Sequence, residues 1–140
     1  MDLDAGQPRA LTPEGFALGR QHSLSPDGTR VATITSDGIA LVSVGGGEPQ
    51  LVRGSQAGDA PLRWSKDGRV LFIGRRGATA CPVWRLDLQT GVRMMWKTFR
   101  PSDVAGVNGV ACPLISGDEQ HYVFSYTRNL SDLFLVEHLQ

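Results

Sequence analysis

The sequence predicts an all-β protein built from repeated four-stranded antiparallel units. Three observations carry that expectation. Turn formers are abundant, with 17 glycines and 8 prolines in 140 residues, about 18% against roughly 12% in an average protein. A Ser-x-Asp-Gly landmark recurs along the chain. Between the turns, apolar residues come in short runs instead of at helical spacing. Glycine and proline interrupt nearly every window long enough for a helix of ten or more residues.

The repeat comes first because it sets the register of everything else. Ser25-Pro26-Asp27-Gly28-Thr29-Arg30-Val31-Ala32 recurs as Ser65-Lys66-Asp67-Gly68-Arg69-Val70-Leu71-Phe72, at a spacing of 40. A weaker copy, Ser116-Gly117-Asp118-Glu119-Gln120-His121-Tyr122-Val123, follows 51 residues later. A second landmark interleaves with the first: Gly6-Gln7-Pro8-Arg9, Gly47-Glu48-Pro49-Gln50 and Thr90-Gly91-Val92-Arg93. Asp can hydrogen-bond the backbone two residues on, and Gly accepts positive φ. Asp27-Gly28 and Asp67-Gly68 therefore read as hairpin turns, and Gly47 and Gly91 as a second reversal in each unit. The third copy has Glu119 where the others have glycine, so its turn is expected to differ.

Strands are expected on either side of these turns. Arg30–Thr35 alternates in side-chain character, and Ile39–Val44 is short and rich in β-branched residues. Val70–Ile73 and Val83–Leu88 repeat the pair. His121–Tyr126 and Leu133–Val136 repeat it again. Each unit then holds strands a to d: strand a, the Asp-Gly turn, strand b, a loop, strand c, the glycine turn and strand d. Four antiparallel strands repeating every 40–50 residues is the pattern of a β-propeller blade. The expected division is the end of a blade at 1–12, blades at 13–54 and 55–99, an insertion loop at 100–110 and an incomplete last blade at 111–140. Gln7–Thr12 reads as a final strand with no blade before it, and Met1-Asp2-Leu3-Asp4 as the end of the strand preceding that. Leu133–Leu139 reads as a third strand with no fourth after it. About three blades form an open arc, fewer than a ring needs. The chain is thus expected to be the C-terminal portion of a longer protein, a half-ring that pairs with a second copy, or an open solenoid. Its partners are then the remaining blades or a second copy of the chain, and a protein or peptide ligand.

Composition excludes several classes. Lys plus Arg and Asp plus Glu are 14 each, so the basic excess of a nucleic-acid binder is missing. No apolar run approaches the roughly 20 residues of a membrane-spanning helix, and the acidic opening lacks the form of a secretory signal. Cys81 and Cys112 make neither a disulfide framework nor a zinc site. They are expected to be half-buried strand cysteines, behaving as small hydrophobes.

At this point the residues resemble a known group. Ser25–Ala32 resembles the core of the WD40-like PD40 repeat of TolB-type propellers. Trp96-Lys97, Pro101 and Asp103–Val107, with the ending Tyr122–Glu137, resemble propeller regions that follow bacterial serine/threonine protein kinase domains. The resemblance implies a non-catalytic, C-terminal sensor or interaction module of a larger bacterial protein. It places the module outside the cytoplasm if the parent spans a membrane, and otherwise in the cytoplasm. The alternative is an accessory propeller of a prolyl-oligopeptidase-like serine peptidase.

Chemistry is sparse. There is no Gly-x-Ser-x-Gly elbow, phosphate loop, kinase signature or His/Cys metal spacing. No catalytic residue, metal ligand or cofactor site is therefore assigned. Asp27, Asp67 and Asp118 could gather around a cation, but turn formation already explains them. Trp64, Trp84 and Trp96 read as packing aromatics. Arg75 and Arg76 follow strand b of one unit and Arg128 follows strand b of the last. They are the expected interaction surface, since arginine is favoured where proteins meet.

Overall fold

The computed structural model describes residues 9–14, 16, 19 and 21–133. Among them the chain is all-β, with twelve strands and no helix. The first sheet contains β1 (His22–Leu24), β2 (Arg30–Ile34), β3 (Ile39–Ser43) and β4 (Gln50–Leu51) in sequential antiparallel order. The second contains β5 (Ala60–Trp64), β6 (Val70–Gly74), β7 (Cys81–Asp87) and β8 (Arg93–Phe99) in the same order. The last part is different. Strand β9 (Val107–Val110) pairs with β12 (Tyr126–Arg128), and β10 (Leu114–Ile115) pairs with β11 (Tyr122–Val123). The described residues form no closed ring of sheets.

The landmark turns are built alike in all three places. In the first, the Ser25 hydroxyl donates to Asp27 Oδ1 at 2.6 Å and accepts from the Arg30 amide at 2.9 Å. The Thr29 amide donates to the same carboxylate oxygen at 3.0 Å. In the second, Ser65, Asp67, Arg69 and Val70 take the same roles at 2.6, 3.1 and 2.9 Å. The third repeats them with Ser116, Asp118, Gln120 and His121. Gly28 and Gly68 hold φ of 71° and 70°, and Glu119 takes φ 61° at the equivalent place. The expectation that the third turn must differ is thus overturned. The Ser and Asp side chains supply the bonds that define the turn, and a non-glycine residue bears the left-handed backbone. The Ser25 hydroxyl, with the Thr29 donors, holds the Asp27 carboxyl down at about 2, and the Ser116 hydroxyl, with the Gln120 amide, does the same for Asp118. Ser65 and the Arg69 amide lower Asp67 in the same way.

The middle sheet is buried on both faces at β6, while much of its last strand, β8, is exposed. Side chains alternate along a strand, so Leu71 and Ile73 point one way and Phe72 the other. Leu71 and Ile73 join Trp64 and Leu86 in a cluster with Ala32, Ile39 and Val52 from the first sheet and the loop after it. Phe72 joins Cys81, Val83 and Phe99 in a second cluster with Val107, Val110 and Ile115 from the last part. Double-sided burial explains why Val70–Ile73 is a continuous apolar run. Burying each such side chain stabilises the fold by about 1.5–3 kcal/mol. The Trp64 indole also donates to the Ser23 carbonyl at 3.0 Å, tying the middle sheet to the first strand of its neighbour.

Several boundaries differ from expectation. The stretch read as an insertion at 100–110 is irregular only in its first part, because Val107–Val110 forms β9 and buries both of its end valines. The strand expected over His121–Tyr126 splits into β11 and β12, with Phe124 and Ser125 between them. Across that gap lie Ala111, Cys112 and Pro113. Ala111 still donates to the Ser125 carbonyl at 2.9 Å, but Pro113 has no N–H to offer the ladder. Cys112 turns aside to form a disulfide with Cys81, their Cα atoms 5.4 Å apart. This corrects the reading of two free thiols. The bond joins the start of β7 to the last part, a pairing that spacing along the chain does not reveal. Arg9–Thr12 carry no strand. Gln7, the strand end expected at Met1–Asp4 and the expected strand residues from Phe134 onward lie outside the described residues.

Candidate functional site

The expected interaction arginines are placed in three different ways. Arg75 is drawn down onto Asp59, whose carboxylate is fully buried, with Nη2 donating to Oδ1 at 2.7 Å. Arg93 reaches the other oxygen at 3.1 Å, and the Gln56 amide donates to it at 2.9 Å. Both guanidinium groups also lie over the Trp84 ring, at 5.8 and 4.3 Å from its centroid. The cluster pins the loop between the first two sheets onto β6–β8, so Arg75 has a structural task. Sequence reading missed Asp59 and Arg93, since their partners are 16 and 34 residues away. Arg128 is held by Asp103, donating to its carbonyl at 2.6 Å and pairing with its carboxylate at 3.3 Å. Arg76 is exposed and sits beside Gly109 of β9. Gly109 pairs with Thr127, next to Arg128, so Arg76 and Arg128 flank one short ladder and Arg75 stands apart.

The turn residues keep their expected places. Gly47 and Gly91 both have positive φ and lie between the third and fourth strands of their sheets. The Asp87 carboxylate organises the second of these reversals by accepting from the Thr90 and Gln89 amides at 2.8 and 3.0 Å, and the Thr90 amide, with the Thr90 hydroxyl and Arg69, lowers its pKa. Asp27, Asp67 and Asp118 each spend a carboxylate oxygen on their own turn. Among the described residues no group of three His, Cys, Asp or Glu side chains is placed to hold a metal.

Exposed apolar surface concentrates in the last part. Leu114 and Val123, cross-strand partners in the β10–β11 pair, are 74% and 63% exposed. Tyr122, Tyr126 and Leu130 are exposed as well, Tyr122 on the face of the hairpin opposite Val123. Tyr122 connects it to the middle sheet, its hydroxyl 3.1 Å from Lys97 Nζ and its ring 4.8 Å from that of Phe99. Next to this contact, Arg85 approaches Glu119 at 3.9 Å. On β6–β8 an open cavity of about 430 Å³ is lined by Val70, Arg85, Asp87, Thr90, Val92 and Met94. Val92 and Met94 are both largely exposed there. Methionine suits a surface that accepts varied apolar partners, because its unbranched side chain adapts its shape. Clustered exposed apolar side chains of this kind are a form suited to protein contact. Among the described residues no helix is long and apolar enough to cross a membrane. No protein-family model matches the chain, and no curated protein matches it.

Proposed function

We propose that the chain is a non-catalytic protein-binding module: about three blades of a TolB/PD40-like β-propeller, serving as the sensor or interaction end of a larger bacterial protein such as a serine/threonine kinase. The observation that supports binding most directly is the exposed apolar pair Leu114 and Val123 of the β10–β11 hairpin, set beside the buried strand β6 and the core around Phe72. Its natural occupant is a further sheet, from a longer parent or from a second copy of the chain. The blade reading draws support from one turn design recurring at the head of each unit. The Cys81–Cys112 bond supports maturation outside the reducing cytoplasm, since disulfides persist in oxidising compartments.

The test is light scattering across a concentration series. The chain is expected to self-associate, and Val123→Lys is expected to shift it toward monomer without changing its circular dichroism. A sharp monomer peak at every concentration, with a cooperative melt, contradicts the reading.

A further inference from the structure

We infer that the cavity between β1, β5 and the β10–β11 turn is a binding site for a carboxylate, carried on an acidic side chain of a peptide or protein partner. The inference rests on the reading of the chain as a binding module and names the chemistry of its partner. The cavity measures about 280 Å³ and is lined in part by Arg63, Lys66, Leu24, Leu62, Trp64 and Gly117. It carries two cations, and among the described residues no carboxylate lines it.

Arg63 is the reason to expect a ligand. Its Nη1 donates to the Ile115 carbonyl at 3.2 Å, which fixes the guanidinium across the space between β5 and β10. Its Nε is buried without a partner. Its Nη2 has no acceptor among the described residues and lies 3.3 Å from where a Cβ on Gly117 would stand. Arg75 and Arg128 likewise bury an Nε without a partner; what sets Arg63 apart is that no carboxylate among the described residues reaches its guanidinium. Arg75 and Arg93 share Asp59, and Arg128 has Asp103. Arg30 lies over the Trp64 ring at 5.1 Å. The Nη2 donors remain accessible from the cavity and have no protein acceptor among the described residues, so they are free to bond a ligand. An oxyanion at Nη2 would accept from them in a charge-assisted bond. Lys66 supplies a second positive charge at the same cavity.

The walls favour a carboxylate over a free phosphate. Leu24, Leu62 and Trp64 give the cavity apolar sides that suit the hydrocarbon stem of a glutamate, which a free phosphate ion lacks. Gly117 leaves the entrance beside Nη2 open, and its backbone does not require glycine, so alanine there should narrow the site without straining the turn.

The experiment is an NMR titration of the ¹⁵N-labelled chain with three probes: a capped tetraglutamate peptide, a capped tetraglutamine peptide and inorganic phosphate. Tetraglutamate is expected to shift the Arg63 Nε–H and Gly117 amide signals saturably, and tetraglutamine is expected to leave them in place. Arg63→Met should abolish binding. Arg63→Lys should weaken it about tenfold, because a lysine cannot reproduce the fixed fork. Lys66→Gln and Gly117→Ala should each weaken it several-fold with the remaining spectrum unchanged, so the test stands even if Arg63→Met fails to fold. Shifts with phosphate but not with tetraglutamate overturn the assignment, as does no response to either. Equal tetraglutamate binding by Arg63→Lys, Lys66→Gln and Gly117→Ala overturns it too. Tetraglutamate shifts that persist in Val123→Lys separate this site from the hairpin patch, so either can fail alone.

Discussion

The middle sheet and the last part of the chain begin with the same turn and end differently. Ser65-Lys66-Asp67-Gly68 and Ser116-Gly117-Asp118-Glu119 make the same side-chain bonds. After the first, three more strands assemble and β6 is covered on both faces. After the second, β11 ends at Val123, opposite the break at Pro113, and Leu114 and Val123 face solvent. The difference teaches that the turn sets where a sheet starts, while neighbours decide whether it is buried. A local motif of four residues carries no information about the third and fourth strands.

The sharpest break of this comparison is a pair of alanine substitutions. Phe72→Ala in the middle sheet removes a fully buried ring that meets Trp96 edge-on at 5.0 Å. It should cost about 3–5 kcal/mol. Val123→Ala in the hairpin should fall within about 0.5 kcal/mol of neutral at dilute concentration, where nothing covers the side chain. Urea melts of both variants check this, and comparable losses would show that the hairpin is as buried as the sheet.

Next in size is the covalent link between the two regions. The cysteines stand 31 residues apart in sequence, and opening a loop of that length should cost about 3–4 kcal/mol. Melts of the double variant Cys81→Ala/Cys112→Ala measure it. The loss should appear mainly as fraying of β9–β12, seen as faster proteolysis after Arg100 and Arg128, with the first sheet intact.

The ion cluster at Asp59 ranks third. Asp59→Ala leaves two guanidinium groups over Trp84 with no carboxylate. Both arginines retain some contact with water, which reduces the loss to about 1–3 kcal/mol. Asp59→Asn should recover part of it. A loss below about 0.5 kcal/mol for Asp59→Ala would mean that the cluster does not anchor the loop.

The smallest effect concerns the turn itself. Glu119→Gly relieves a left-handed backbone worth about 1–2 kcal/mol, against an entropic cost of about 0.5–1 kcal/mol for the added glycine. A net gain of up to about 1 kcal/mol is expected, and Gly68→Glu should show the reverse. The turns also set an acid limit. The Asp27 and Asp118 carboxyls titrate at about 2 in the folded chain against an ordinary 3.8. A depressed folded pKa stabilises at pH values above the ordinary one. That contribution fades as pH falls from about 4 toward 2. Carboxyl ¹³C titration shifts read it directly.

Much of the fold was legible in the sequence, for a local reason. The expected Arg30–Thr35, Ile39–Val44 and Val70–Ile73 lie within one residue of β2, β3 and β6 at each end. Their turns are made by adjacent residues. The rest depends on contacts across distance. The break at Phe124–Ser125 follows from Cys112 turning toward Cys81, and Asp59 is found only when the loop it sits on is folded against Arg75 and Arg93. Glu119 shows a different gap: the sequence pattern marks glycine as the essential turn residue, while Ser116 and Asp118 hold the turn. For the site, arginine as a surface residue was a poor guide. Arg75 and Arg128 are engaged within the chain, and Arg63, inside a strand, attracted no notice because an unmet donor is visible only in three dimensions.

The central claim is that the last hairpin is a sheet awaiting cover. Amide hydrogen exchange, read residue by residue at low and high protein concentration, tests it most directly. Strands β6 and β7 should be protected at both concentrations. Strands β10–β12 should exchange faster when the chain is dilute and slow markedly as it associates. Equal protection of β6, β7 and β10–β12 at every concentration would contradict the claim.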